Sequence, residues 1–321
     1  MSSTADINYA IRPNKCIERK LFFEFLAECK DIFEFQEYRY IGFGSTWFVD
    51  FVMAHKYLRI SDMLSIEKSK KICDRAKFNK PYGCVKIILG NSSDVLPTVR
   101  VEEKPVIAWL DYEDSINGPV FSDVEELCRR MKSGSMLVVT LNAHKGSIPH
   151  KDRDGNEFQS EEDKLRFYAG DLVPPKLRTK DLQMKRFPQV LASMILQHVR
   201  TCARYAGRTD VTIPILNVKY RDNAPMMSVA VAFVSRDVAC KVDKRSRDIG
   251  FCDWRDAEKQ AEIAAPSLTF REKSALDQLL PCNTAPTGEQ VKALGFSLPD
   301  AEIQEYHRFY RHYPVYGEVG I

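Results

Sequence analysis

The sequence predicts an α/β fold: a doubly wound parallel sheet that ends in an antiparallel hairpin. Three observations lead there. From residue 38 to 142, short apolar runs alternate with amphipathic stretches, the rhythm of βαβ units with right-handed crossovers. The runs are nearly continuously apolar, as strands covered on both faces are. Two later runs, "TIPILNVKY" and "PMMSVAVAFVS", are separated only by "RDNA", a link so short that it permits only a hairpin. Five parallel strands and a terminal hairpin make seven strands.

The elements follow in order. "RPNKCIERKLFFEFLAECKDIF" is a helix with Pro13 in its first turn and an apolar stripe of Ile17, Leu21, Phe22, Phe25, Leu26 and Cys29. Strand "YRYIGF" leads into helix "STWFVDFVMAHKYL", and strand "DMLSIE" into helix "SKKICDRAKFN". Strand "CVKIIL", a short turn-helix "SSDVLPTV", strand "PVIAWLD", helix "VFSDVEELCRRMK" and strand "SMLVVTLN" complete the regular part. The rhythm stops after Asn142. Residues 143 to about 180 are polar and mixed in charge, too long for a bare loop, so the segment is expected to be partly helical and to form a lid or rim. "LQMKRFPQVLASMILQHVRTCARYA" resumes as a long helix with a kink expected near Pro188. After the hairpin, from about residue 240, short helical patterns run to an aromatic-rich tail containing Tyr306, Phe309, Tyr310, Tyr313 and Tyr316.

Composition narrows the function classes. Hydrophobic residues make up 44% and charged residues 28%, ordinary for a globular protein. No apolar run reaches the length of a membrane span, and "MSSTADINYA" lacks the pattern of a secretory signal. Nine cysteines are scattered without a CxxC pair. That reads as reduced thiols in a cytoplasmic protein, with no disulfide framework and no zinc site. A net charge of +3 gives no global basic field, so any nucleic-acid surface has to be local.

Candidate functional residues cluster at strand ends, where open α/β sheets bind ligands. The first strand ends in Gly42-Phe43-Gly44-Ser45, a turn that lets a ligand approach the backbone. The second ends at Glu67, 25 residues after Gly42; its carboxylate can accept from ribose hydroxyls or sit at a helix N-terminus. The third is followed by "LGNSSDVLP" and the fourth by "AWLDYEDSI", with Asp111, Tyr112, Glu113 and Asp114. The third glycine of the dinucleotide fingerprint is missing, which argues against a nicotinamide-dependent oxidoreductase.

This succession resembles the class I S-adenosylmethionine-dependent methyltransferase fold, a Rossmann-like seven-stranded sheet, over roughly residues 35 to 236. The resemblance implies a methyltransferase-like domain over residues 1–240, with the insertion as lid, and a helical extension over 241–321. It implies S-adenosyl-L-methionine as cofactor, with Gly42, Gly44 and Ser45 cradling its methionine part and Glu67 on the ribose. Where the family often has Gly-Asp-Ala, this chain has Gly90, Asn91 and Ser92, so an amide oxygen replaces the usual acid as acceptor for the adenine amine. Asp94 is an alternative whose spacing suits a helix cap better. Asp111 and Glu113 are placed where a base or an orienting group would stand beside the methyl. Asp111 with Asn142 also resembles the Mg²⁺ pair of catechol-type O-methyltransferases, but no third ligand is identifiable and no metal is expected.

The acceptor class is not written in the sequence, which lacks an Asn/Asp-Pro-Pro-Tyr motif. Arg12, Lys15 and Arg19 share one end of the first helix and are expected either to hold an anionic acceptor, such as a nucleotide or nucleic acid, or to form a solvated face. Lys219, His144, Lys145 and His150 are further residues near the expected cleft. The rival function is a methyltransferase-fold scaffold subunit that serves a protein partner with little turnover.

Overall fold

Helix α1 (Pro13–Glu28) starts at Pro13, whose missing N–H costs nothing in a first turn. The carboxylate of Asp222 accepts from the backbone N–H groups of Asn14 and Lys15 at 3.2 and 3.1 Å, so the hairpin turn supplies the cap that Arg12 does not. The computed structural model describes residues 12–43, 46–152, 154–183, 185–248 and 260–315. Gly44, Ser45 and Tyr316 lie outside the described residues.

The alternating part of the chain forms β1 (Arg39–Phe43), α2 (Val49–Leu58), β2 (Asp62–Glu67), α3 (Lys70–Asn79), β3 (Val85–Leu89), α4 (Ser92–Val95), β4 (Val106–Asp111), α5 (Gly118–Arg130) and β5 (Met136–Asn142). The insertion carries α6 (Glu161–Ala169), and α7 (Phe187–Tyr205) leads into the hairpin of β6 (Val211–Arg221) and β7 (Pro225–Val234). Pro188 lies in the first turn of α7. The expected kink is therefore a helix start, because a proline without a preceding turn has no carbonyl to clash with. The chain continues as α8 (Arg236–Asp248), β8 (Ala261–Ile263), α9 (Phe270–Asp277), α10 (Gly288–Ala293) and α11 (Asp300–Phe309).

The sheet order is β3-β2-β1-β4-β5-β7-β6-β8. The first five strands are mutually parallel and β7 runs antiparallel between β5 and β6. Among the described residues, eight strands stand where seven were expected. The eighth, β8, pairs parallel with β6 over only three residues, too short an edge strand to leave a periodic signal in sequence. It also belongs to the C-terminal extension, so that extension contributes to the sheet, and the expected boundary at residue 240 falls inside α8.

Side chains alternate between two cores. One holds α1, α2, α8 and the C-terminal helices, through residues such as Phe22, Phe51, Val242, Ile303 and Tyr306. The other holds α5, α6 and α7, through Val124, Leu165 and Ile195. Strand order reverses direction at β1 and β4, the position where a doubly wound sheet opens a crevice at its carboxyl ends. Among the described residues no helix is long and apolar enough to cross a membrane.

Candidate functional site

A cleft of about 510 Å³ opens at the carboxyl ends of β1 to β4, lined by Phe43, Glu67, Asn91, Asp111, Tyr112 and Glu113 among others. Phe43 and Tyr112 meet edge to face, with ring centroids 4.9 Å apart, and give the cleft an aromatic wall. Glu67 ends β2 and is 6% exposed. Its Oε1 accepts from the backbone N–H of Ser69 at 2.8 Å, where α3 begins. Burial pushes its carboxyl up, against the backbone donors of Ser69 and the charge of Lys68. Both readings of this residue meet here: the carboxylate caps a helix approach and lines the cleft.

Gly42 is packed differently from expectation. Its φ is not in the left-handed region, and a Cβ there would stand 3.1 Å from Phe51 Cε2 and 3.2 Å from Asp50 Oδ2. The missing side chain makes room for α2. Asn91 is exposed at the mouth and its Nδ2 donates to Asp94 Oδ2 at 3.1 Å, which leaves the amide oxygen turned to other partners. Asp94 is in the first turn of α4 and lines the cleft with it. Ser92 is committed elsewhere: its hydroxyl donates to Asp123 Oδ2, which also accepts from Tyr112 OH at 2.6 Å. Asp123, 1% exposed on α5, thus ties the β3 loop and the aromatic wall together from beneath. Sequence reasoning missed it, although its place among Val120, Val124 and Leu127 marks a polar group on a buried stripe.

Asp111 ends β4 with its side chain 29% exposed. Lys15 Nζ donates to its Oδ1 at 2.9 Å and Arg19 Nη2 lies 3.6 Å from Oδ2. Lys15 also pairs with Glu18 at 3.1 Å and stands over the rings of Trp109 and Tyr220 at 5.5 and 5.7 Å. Lys15 and Arg19 are 4% and 6% exposed, so the expected basic face is a correction. These two cations compensate Asp111 inside the molecule and present no open charge to an acceptor, because α1 is covered by the sheet and the C-terminal helices. Arg12 is half-buried just before α1. Glu113 is exposed at the mouth. Partial loss of solvent and the neighbouring Asp111, Asp114 and Glu67 push its carboxyl up, against the pull of Lys68.

The remaining candidates have structural partners. Lys219 pairs with Glu262 at 3.1 Å and reaches the Lys185 carbonyl at 3.4 Å. His150 Nδ1 meets Lys164 Nζ at 2.8 Å, and His144 Nδ1 accepts from Gly146 N–H at 3.2 Å. Leu165, Ala169 and Val173 of the insertion pack into the α5–α7 core, and none of its described residues is among those lining the cleft. Asn142 Oδ1 accepts from the His144 N–H. Among the described residues no group of three His, Cys, Asp or Glu could hold a metal ion.

A family model described as "Putative O-methyltransferase" matches residues 7–321. No curated protein matches the chain. Similar solved structures include an O-methyltransferase from Bacillus cereus in complex with SAH, 12% identical, covering 72% of this chain and 84% of that one at a TM-score of 0.40. The O-methyltransferase TomG from Streptomyces achromogenes in complex with SAM is 13% identical, with coverages of 72% and 92% and a TM-score of 0.37. Trm1 from Pyrococcus horikoshii with S-adenosyl-L-methionine is 12% identical, with coverages of 74% and 59% and a TM-score of 0.45.

Proposed function

The chain belongs to this O-methyltransferase family, and from that premise we propose that the strand-end cleft binds S-adenosylmethionine and serves methyl transfer to an acceptor oxygen. The observation that carries the reading is Glu67, a nearly buried carboxylate at the end of β2 inside a cleft with an aromatic wall. That set of groups fits: a carboxylate to accept from two ribose hydroxyls, Phe43 and Tyr112 for flat apolar surface, and the Asn91 amide oxygen to accept from an exocyclic amine. Bound there, the cofactor supplies a methyl group activated by a sulfonium.

The chain's own residues do the rest. Asp111, fixed by Lys15 and Arg19, is an oriented anion at the end of β4 and positions the acceptor. Glu113, whose carboxyl is raised above the ordinary glutamate range, takes the acceptor's proton; a base works best when its affinity for protons approaches the working pH. Tyr112, held by Asp123, keeps the wall between them rigid.

The test is calorimetric titration of S-adenosylmethionine followed by transfer of labelled methyl into fractionated lysate. Glu67→Ala weakens cofactor binding by about tenfold to a hundredfold, the worth of hydrogen bonds to a charged group. Asp111→Ala leaves that binding within a few-fold and cuts label transfer by about 10²–10⁴-fold. Unchanged affinity in Glu67→Ala would move the cofactor out of this cleft.

A further inference from the structure

Behind Asp111 lies a closed set of charges. From α1 come Lys15, Glu18 and Arg19; from β4, Asp111; from the first turn of α2, Asp50. Glu18 is 0% exposed, and neither of its carboxylate oxygens has a hydrogen-bond donor beyond its ion pair with Lys15. Asp50 accepts from Tyr40 OH at 2.7 Å and faces Arg19 and Asp111. The hydroxyl of Tyr220, also buried, makes no hydrogen bond and lies in the field of Glu18. Burial and Asp111 push the Asp50 carboxyl up, against the pull of Arg19 and the Tyr40 hydrogen bond, as expected where three carboxyl groups stand against two cations.

Buried charges are normally balanced, because an uncompensated one is costly to desolvate. Here the excess sits next to the cleft. Asp111 lines it, and the other charges reach it through Lys15 and Arg19, which pair with Asp111 from behind. Methyl transfer changes the charge of whatever occupies that end. The S–CH₃ bond breaks, a C–O bond forms, and the sulfonium keeps the electron pair to become a neutral thioether, while the acceptor's proton leaves to a base. A fixed negative excess interacts with the cation and not with the product.

We propose that the excess of carboxylates in the cluster Glu18, Asp50, Asp111, Lys15 and Arg19 makes the cleft discriminate the cationic sulfonium donor from its neutral thioether product. The proposal rests on the cofactor reading above. Glu18 and Asp50 are then specificity residues that touch no substrate and act through the field they set up. In a region partly screened from water, one unit charge acting over about 12 Å at an effective dielectric of about 20 shifts a binding ratio by roughly tenfold.

The experiment is paired calorimetry of S-adenosylmethionine and S-adenosylhomocysteine on the full chain. Glu18→Gln and Asp50→Asn keep shape and remove one negative charge each, from different helices, so either alone carries the test if the other does not fold. Each lowers the affinity ratio of donor to product by about three- to tenfold, mainly by weakening the donor. Asp62→Asn is the control: its side chain is as exposed as that of Asp111 and it pairs with Arg39 and Lys104, but it begins β2 at the opposite end of the sheet. It leaves the ratio within about twofold. Ratios unchanged in Glu18→Gln and Asp50→Asn, with both ligands still bound, would overturn the proposal. Loss of both ligands from wild type would instead overturn the cofactor reading.

Discussion

The strand ends divide into two regions built from the same residue types. On the β2–β3–β4 side, Asn91, Asp94 and Glu113 stand open to solvent at the cleft mouth. On the α1 side, Lys15, Glu18 and Arg19 are sealed beneath a helix and its neighbours, at 4%, 0% and 6% exposure. An open polar group keeps its hydrogen bonds to water and can exchange them for a ligand at little cost. A sealed one has already lost its water, so its partners decide both stability and the local field. Asp111 belongs to both regions, paired on the inside and partly exposed to the cleft. The lesson is that partners count together with burial: Glu67, only 6% exposed, still lines the cleft, while Lys15 and Glu18, at least as well covered, are paired to each other.

Truncation of Lys15 tests that division most severely. Lys15→Met leaves Glu18 as a buried carboxylate without its cation, a loss of about 3–5 kcal/mol for a broken buried pair. Urea unfolding followed by circular dichroism measures it. Glu113→Gln, at an exposed position of the open region, costs much less stability. If the two variants lost equal stability, the sealed region would be no more committed to structure than the cleft.

The titration of Glu113 sharpens the comparison from the open side. Its raised carboxyl is a base only when deprotonated, so turnover falls as pH drops through its folded value. The acid limb of the pH–rate profile therefore lies above the ordinary glutamate value of 4.5. Glu113→Gln removes that limb and lowers the plateau by about 10²-fold, at the lower end for a general base. A limb that persisted in Glu113→Gln would assign the proton to another group.

Much of this was legible in sequence. Alternation of apolar runs located β1 to β5, and the four-residue link identified the β6–β7 hairpin, because both depend on local periodicity. Glu67 and Asp111 were found by position alone, as acids at strand ends. The partners of Asp111 were not, although a signal existed. Glu18 precedes Phe22 by four residues and Lys15 precedes it by seven, so both share a face with the apolar stripe. An amphipathic reading assigns charged residues to water by type, and α1 defeats it by being covered on more than one side: α2 and β6 contact it, and Ala265 and His312 of the extension bond to Asn14 and Glu24. The cover by the extension comes from residues more than two hundred positions away, and no local pattern encodes it. The cap of α1 by Asp222 was hidden for the same reason.

The smallest effect belongs to the far end of the same helix. Arg245 on α8 pairs with Asp31 just beyond α1 at 2.7 Å and approaches Glu28 at 3.8 Å, the nearer contact being as short as the 2.9 Å from Lys15 to Asp111. Here, however, the Asp31 and Glu28 side chains are 61% and 55% exposed. Water and salt screen the attraction, and holding two long side chains in register costs entropy. Arg245→Ala should therefore cost less than about 1 kcal/mol, and the cost should shrink further when unfolding is repeated at high salt. The difference from Lys15→Met is the measure of burial, since geometry and charge are alike at both ends of the helix. A loss at Arg245 comparable to that at Lys15, insensitive to salt, would mean that distance alone governs these pairs and that the sealed cluster has no special field to set.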